Sequence, residues 1–375
     1  MEKIDLEFSK SLKKYGAVDI SPCFNCGNCT AICSLSTEDN SFPRKMLRYS
    51  ILGLQDRISS SVDPWLCYYC GECSETCPKE ANPGELMMAL GRFLVAQYDW
   101  TGLARKFYTS KIWEMGAILF LALIILVIFV VFHGPLTTEL TAEGGVKLNT
   151  FAPWHQIHIG DWIMAGFLAF FLLSNVFNMY LKILRNDKKI KIPFRLYFTE
   201  FISLVRNFIT QERIKDCEKG KVYWLIHLLL MSGYVILFTM IVGFLGWFQT
   251  DNIYEWWHPQ RLLGYYATLG LLVGCVYFFI GRIKKDKELN KHSHYTDWTF
   301  LVLLFFTTLT GILLHFFRIY GMPMATYYMY VIHLMVLFPM LMIEVPFSKW
   351  SHLAYRPVAI YFSNVLNKAK ELQKS

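Results

Sequence analysis

The sequence predicts an all-α protein in two parts, a small helical ferredoxin-like domain with two iron–sulfur clusters followed by a six-helix transmembrane bundle. Three observations predict this. Two cysteine quartets with identical spacing lie before residue 80. Six apolar runs, each long enough to cross a bilayer of roughly 20 apolar residues, follow residue 110. Basic residues crowd alternate loops between those runs.

The quartets are Cys23-Phe-Asn-Cys26-Gly-Asn-Cys29-Thr-Ala-Ile-Cys33 and Cys67-Tyr-Tyr-Cys70-Gly-Glu-Cys73-Ser-Glu-Thr-Cys77-Pro78. Both are C-x2-C-x2-C-x3-C, the two-cluster pattern of bacterial ferredoxins. Only the second ends in proline, Ser34 standing after the first. Three thiolates two residues apart wrap one cubane, and the fourth reaches the other. Cys23, Cys26, Cys29 and Cys77 are therefore expected on one 4Fe-4S cluster, and Cys67, Cys70, Cys73 and Cys33 on the second. Tetrahedral zinc is the alternative for four thiolates, but zinc ribbons bring cysteines in separated pairs. Disulfides do not suit a cytoplasmic placement. Residues 1–108 form this domain, with one helix expected from Pro43 to Ile58 and another from Pro83 to Gln97. The second carries Leu86, Leu90, Phe93 and Leu94 at helical spacing.

Residues 109–375 form the membrane part. Hydrophobic residues make up 54% of the chain and aromatics 17%, and the mean hydropathy is +0.32. The expected spans are 112–132, 159–183, 222–248, 262–281, 300–317 and 326–345. None has the position of a secretion signal. Lysine and arginine gather at 184–221, at 282–297 and in the C-terminal tail, whereas the opposite loops hold little more than Lys147 and Arg318. By the positive-inside rule the N-terminal domain, both basic loops and the C-terminus lie on the cytoplasmic side of the inner membrane. Six spans require that agreement. The net charge of +8 thus sets topology beside anionic lipid, and no basic-aromatic groove points to nucleic acid. Segment 193–213 is too charged to span; it is either an interfacial helix or a packed connector.

Haem b needs two neutral imidazoles on facing helices. His227 lies about two turns into the third span from its cytoplasmic end, and His333 about two turns into the sixth from its outer end. His352 lies just past the inner end of the sixth, roughly 28 Å beyond His333 along a continuous helix. His227 and His352 are expected to hold an inner haem. His333 would hold an outer one, with His158 as first partner and His258 or His315 as alternatives. His133, His155, His292 and His294 fall in loops. Aromatic residues at Trp247, Trp256, Trp257, Tyr320, Tyr327 and Tyr328 suit an outer interfacial belt.

No G-x-G-x-x-G after a strand, no P-loop and no hydrolytic triad is present. The chemistry left is one-electron transfer beside a lipid-soluble carrier. Quinone chemistry moves protons with electrons, so ionisable groups at membrane depth are of interest: Asp161, Arg318 and Tyr320 near the outer face, Glu344 near the inner one. Cys217 and Cys275 lack partners at ligand spacing and receive no role.

These motifs also carry family resemblances. The two quartets, Trp65 before the second and the helix after it resemble the small iron–sulfur (C-type) subunit of heterodisulfide reductases over most of residues 15–105. His227-Leu228-Leu229 and the stretch from His333-Leu334 to Pro346-Phe347-Ser348-Lys349-Trp350-Ser351-His352 resemble the cytochrome b (gamma) subunit of respiratory nitrate reductases. There, the first and last of these histidines bind different haems. The chain departs from that family at Leu237, where its second histidine on the third span would stand, and in one extra residue between His333 and His352. The fusion of both modules resembles the membrane (C-type) subunit of the quinone-interacting membrane-bound oxidoreductases. That resemblance implies menaquinone as substrate, soluble flavin-containing partners similar to the A-type subunit of heterodisulfide reductases, and an indirect link to adenylylsulfate reductase. Two alternatives remain: an equivalent subunit of a heterodisulfide- or sulfite-reduction-linked complex, and a haem-free membrane anchor or redox sensor.

Overall fold

The computed structural model describes residues 4–185, 190–216 and 220–374. Cys217 and, in the first basic loop, Lys188, Lys189 and Lys219 lie outside the described residues. Among the described residues no strand forms, only isolated bridges at Thr37–Asn40 and Leu140–Val146. The all-α expectation holds.

The two cysteine runs fold alike because they repeat alike. In each, the residue before the second cysteine takes a left-handed backbone, Asn25 at φ 62° and Tyr69 at φ 57°. The glycine after that cysteine does the same, Gly27 and Gly71 both at φ 92°. Each glycine then opens a short helix, Asn28–Ile32 and Glu72–Glu75. Side chains rarely adopt such φ values, so the shared glycine fixes the direction of both loops. Between the runs, the single expected helix is two: α1 (Arg44–Ile51) and a short turn at Gln55–Ser59. The break falls at Gly53, whose carbonyl accepts from the Asp5 amide at 3.1 Å. The next helix, α2 (Pro83–Tyr98), begins at proline as expected and runs one residue further than read. It buries Leu86, Leu90, Phe93 and Leu94 against Phe8, Leu12 and Met46. A short helix, α3 (Leu103–Thr109), leads to the membrane part.

Six helices are long and apolar enough to cross a membrane: α4 (Lys111–Phe132), α5 (Trp154–Ile183), α6 (Gly220–Gly243), α7 (Pro259–Lys284), α8 (Tyr295–Ile319), and the last span, which starts as α9 (Pro323–Pro339). Span identity matches expectation, while the ends move by up to five residues because caps decide them. His258 accepts from the Gln260 amide ahead of Pro259. His294 and Asp297 form a capping box at the start of α8. The last span is the centre of the bundle: 67% of its apolar window is buried, against 6% for α4. The outer face of α4 shows Leu119, Phe120, Val127, Val130 and Val131 to lipid. Close packing of α6 on α7 depends on Gly270-Leu-Leu-Val-Gly274, a small-xxx-small face. A Cβ on Gly270 would stand 2.8 Å from the Leu229 carbonyl, and one on Gly233 would stand 2.8 Å from the Ala267 carbonyl.

The helix expected to run unbroken from His333 to His352 is broken. After α9 comes a π-helical turn, Met340–Glu344, then Val345–Phe347, an irregular Ser348 and a 3-10 turn at Lys349–Ser351. Prolines at 339 and 346 bracket the π turn, and a π turn takes up one extra residue per turn. His352 therefore begins a new helix, α10 (His352–Lys374), where only a basic tail was expected. It lies against the cysteine domain, with Tyr355 packed on Trp65 and Tyr98. Segment 193–213 forms two short helices, Phe194–Thr199 and Phe201–Thr210. They pack on α10 through Tyr361 to the Tyr197 carbonyl (2.8 Å) and Asn364 to Ser203 (3.1 Å). Phe194, Phe198, Ile202 and Ile209 remain exposed, so the segment is a packed connector with an uncovered apolar face.

Candidate redox site

Thiols of the two cysteine runs face one another electrostatically. The Cys29 thiol is pushed up by burial, with Cys23, Cys26 and Cys77 adding to the push. Burial drives the Cys33 thiol up as well, aided by Cys70. Cys67 is pushed up to about 12, chiefly by burial, and Cys70 and Cys33 contribute. Cys73 rises for the same reasons, with Cys67, Cys70 and Cys33 as its largest thiol neighbours. Mutual repulsion among buried thiolates is what a polynuclear cation between them relieves, since coordination deprotonates thiols outright. Among the described residues, no three His, Cys, Asp or Glu are placed to hold a single metal ion. A backbone donor is also in place, the Tyr69 amide lying 3.4 Å from the Cys67 sulfur.

His227 and His352 meet on the same side. Their ring centres are 6.4 Å apart. That separation leaves room for one metal ion between the two rings. His227 donates through Nδ1 to Gln211 Oε1 at 2.6 Å, and His352 donates through Nδ1 to the Lys349 carbonyl at 2.6 Å. Both acceptors lack a proton, so each ring keeps the lone pair on Nε2, the orientation that outer hydrogen-bond partners impose on metal-binding histidines. Burial pushes His352 down to about 3, with Arg356 and Lys349 adding to it, so the ring is neutral at physiological pH. Gln211 sits at the left-handed end of the Phe201–Thr210 helix and also contacts the Met231 sulfur. The residues present fit a bis-histidine haem.

The histidine pair opens on a cavity of about 190 Å³ that the flank of the second cysteine run also borders. Trp65, Tyr68 and Tyr69 line it from the second cysteine run, and His227, Tyr234 and His352 from the bundle. Arg356, one turn after His352, donates to the carbonyls of Trp65 (3.2 Å) and Cys67 (3.0 Å). A buried ion cluster closes the side. Arg92 of α2 holds Asp297 at 2.8 Å, Glu85 at 3.4 Å and the Tyr15 carbonyl at 2.9 Å. Lys349 holds Asp297 at 2.6 Å. The sequence assigned no role to any of these four charged residues. The signal available was Arg92 within an otherwise apolar helix face.

The expected outer pair is not formed among the described residues. His333 donates through Nδ1 to the Thr310 hydroxyl at 2.9 Å, and that hydroxyl donates onward to the Phe306 carbonyl. His158 Nε2 is held by the Val242 carbonyl at 2.9 Å. His258 caps α7 and stacks on Tyr254 at 4.0 Å. Arg261 occupies His315 at 2.7 Å. The carboxyl of Asp161 is buried, with Oδ2 lacking a partner. Arg318 bonds the carbonyls of Thr250 and Asn252, and Tyr320 is exposed against Phe316. Glu344 is fully buried in the π turn.

The family described as "4Fe-4S dicluster domain" matches residues 19–81, which contain all eight quartet cysteines. Residues 19–81 thus provide a 4Fe-4S-binding domain. A protein of Archaeoglobus profundus, described as similar to the C-type subunit of heterodisulfide reductase, is 32% identical over 124 residues, 32% of this chain and 65% of the relative. The C-type subunit of the H2:CoB-CoM heterodisulfide,ferredoxin reductase of Methanothermobacter marburgensis is 36% identical over 79 residues, 21% of this chain and 43% of the relative. A C-type iron–sulfur subunit of the CoB–CoM heterodisulfide reductase of Methanocaldococcus jannaschii is 34% identical over 97 residues, 26% of this chain and 51% of the relative. The chain spans less than two thirds of the length of these relatives. No solved structure matches it. Its N-terminal part is thus similar to the iron–sulfur subunits of heterodisulfide reductases, and six helices able to cross a membrane follow that part.

Proposed function

We propose that this chain is the membrane electron-transfer subunit of a quinone-linked oxidoreductase complex. The observation that carries the proposal is the cavity lined jointly by the second cysteine run and by His227 and His352. Haem b and two 4Fe-4S clusters supply one-electron chemistry when bound. Cys23, Cys26, Cys29 and Cys77 hold one cluster, and Cys67, Cys70, Cys73 and Cys33 the other. His227 and His352 ligate the inner haem, and Gln211 and the Lys349 carbonyl fix their rings. Trp65, Tyr68 and Tyr69 line the space between the two stations. No second haem is included, because His333 lacks a facing histidine among the described residues.

Electrons from menaquinol in the bilayer leave through the cluster domain to soluble partners. The relatives' names place them in heterodisulfide reductase complexes, which supports partner subunits in a complex; a soluble, flavin-containing partner of the A type follows from the resemblance of the fused modules. The link to adenylylsulfate reductase follows from the resemblance of the fused modules. The N-terminal domain, basic loops and C-terminus face the cytoplasm, and α10 and the cysteine domain pack together on that one side of the bundle.

The test is a pyridine haemochrome assay on the purified chain, paired with reduction by a menaquinol analogue. One haem b per polypeptide is expected, absent in His352→Ala and His227→Ala. No haem in the parent chain would refute the path and leave a cluster-bearing anchor or sensor.

A further inference from the structure

Two carboxyls of different spans meet in the bundle, away from any haem ligand. Glu114 of α4 and Glu344 of the π turn are both fully buried and face each other. Glu114 accepts from Ser348 at 2.9 Å and from Thr299 at 3.2 Å. Neither oxygen of Glu344 has a hydrogen-bond partner of full geometry among the described residues, the Ser348 hydroxyl and the Lys349 amide being the donors that face it. Arg92 and Lys349, the cations of the neighbouring ion cluster, are bound to Asp297 at 2.8 and 2.6 Å. The other titratable groups facing the pair are Asp297, Tyr295 of α8, and Tyr108 of α3. Tyr108 lines the redox cavity, and its hydroxyl faces Ser351, the neighbour of His352. Two carboxylates in contact without a bonded cation cannot both ionise cheaply. A dyad sharing one proton is the arrangement such pairs adopt. An intramembrane acid without a counter-charge is a functional group by default.

We propose that Glu114 and Glu344 form one proton-binding site that loads when an electron reaches the inner redox station and empties when it leaves. The proposal rests on the electron path above. With haem held by His227 and His352, the station would take one electron from a quinol, whose O–H bond breaks and whose proton leaves to the medium. One proton from the aqueous cavity, passed by the Tyr108 hydroxyl, forms an O–H bond on the ionised carboxylate of the dyad. The charge added is therefore neutralised inside the bundle. On oxidation by the soluble partner the same O–H bond breaks, and the proton returns.

Reduced-minus-oxidised infrared difference spectra of the purified full chain test this. The parent should gain a carboxylic acid carbonyl band on reduction, shifted in D2O and lost in both Glu344→Gln and Glu114→Gln. Its haem potential should fall as pH rises, and this slope should flatten in both variants. Haem content and the cluster signals in electron paramagnetic resonance certify that each variant is folded and loaded. A haem-containing parent with no such band, or a band and slope surviving in loaded variants, overturns the proton site while leaving the electron path intact. A haem-free parent overturns the path itself, and the haemochrome assay identifies that outcome.

Discussion

Replacing Arg92 by methionine should loosen the cysteine domain from the bundle without touching any redox ligand. The guanidinium bonds at once to Glu85 of its own helix α2, to the Tyr15 carbonyl and to Asp297 of the fifth span. Breaking a buried pair by removing one partner costs about 3–5 kcal/mol. Here both orphaned acids keep a second partner, Asp297 its lysine at 2.6 Å and Glu85 the Tyr69 hydroxyl at 2.9 Å. The loss should therefore sit at the low end, about 3 kcal/mol, which corresponds to roughly 150-fold in an opening equilibrium. Hydrogen exchange followed by mass spectrometry on peptides from Pro83–Tyr98 measures it directly, because local opening sets exchange there. Arg92→Lys should recover only part of the protection, since an ammonium cannot fork between two carboxylates and a carbonyl. Exchange within about threefold of the parent in Arg92→Met would refute the ion cluster as the clamp.

Cys29→Ser and Cys77→Ser should each abolish the same cluster signal, and Cys33→Ser the other, with non-haem iron analysis giving about four atoms left of eight in each case. Loss of the wrong signal would reverse the assignment. Gly274→Leu would drive a side chain into Leu230 where α7 crosses α6. Overpacking costs about 1–3 kcal/mol, and because α6 carries His227, haem per polypeptide should drop. Burial, with Arg92 beside it, holds the His294 ring down at about 4, below its ordinary 6.5. The unfolded state thus binds the proton first, so stability is complete above about 6.5 and falls as pH drops from there toward 4. His294→Gln should show a shallower loss of thermal stability over that window.

The sequence carried the spans and the cluster loops well, because both are written locally. A bilayer demands about 20 apolar residues in a row, and a cubane demands cysteines at fixed short spacing. The inner histidines could also be anticipated, since depth along a helix follows from residue count. What local pattern did not convey was the form of the break between Pro339 and Ser351, where prolines 339 and 346 bracket a π turn that buries Glu344 together with Ser348 and Glu114. It also concealed α10, whose apolar stripe of Tyr355, Ala359, Phe362 and Val365 resembled a basic tail until the surface it covers was visible. The one extra residue between His333 and His352 was legible as a count. The π turn gives it a place, at the residue that faces Glu114.

The cysteine domain and the bundle do not own separate cores. Phe8, Leu90 and Trp65 belong to the same buried cluster as Met179 and Ile183 of α5, Phe347 at the end of the sixth span, and Tyr355 and Phe362 of α10. Mobile redox heads that swing between donor and acceptor need a hinge and an interface that can part. A core shared in this way leaves room for neither, so in the function proposed above the chain would work as a fixed conductor. In the function proposed above, the gap between stations would stay constant through turnover, and the moving parts would be the proposed quinone in the lipid and the proposed soluble partner.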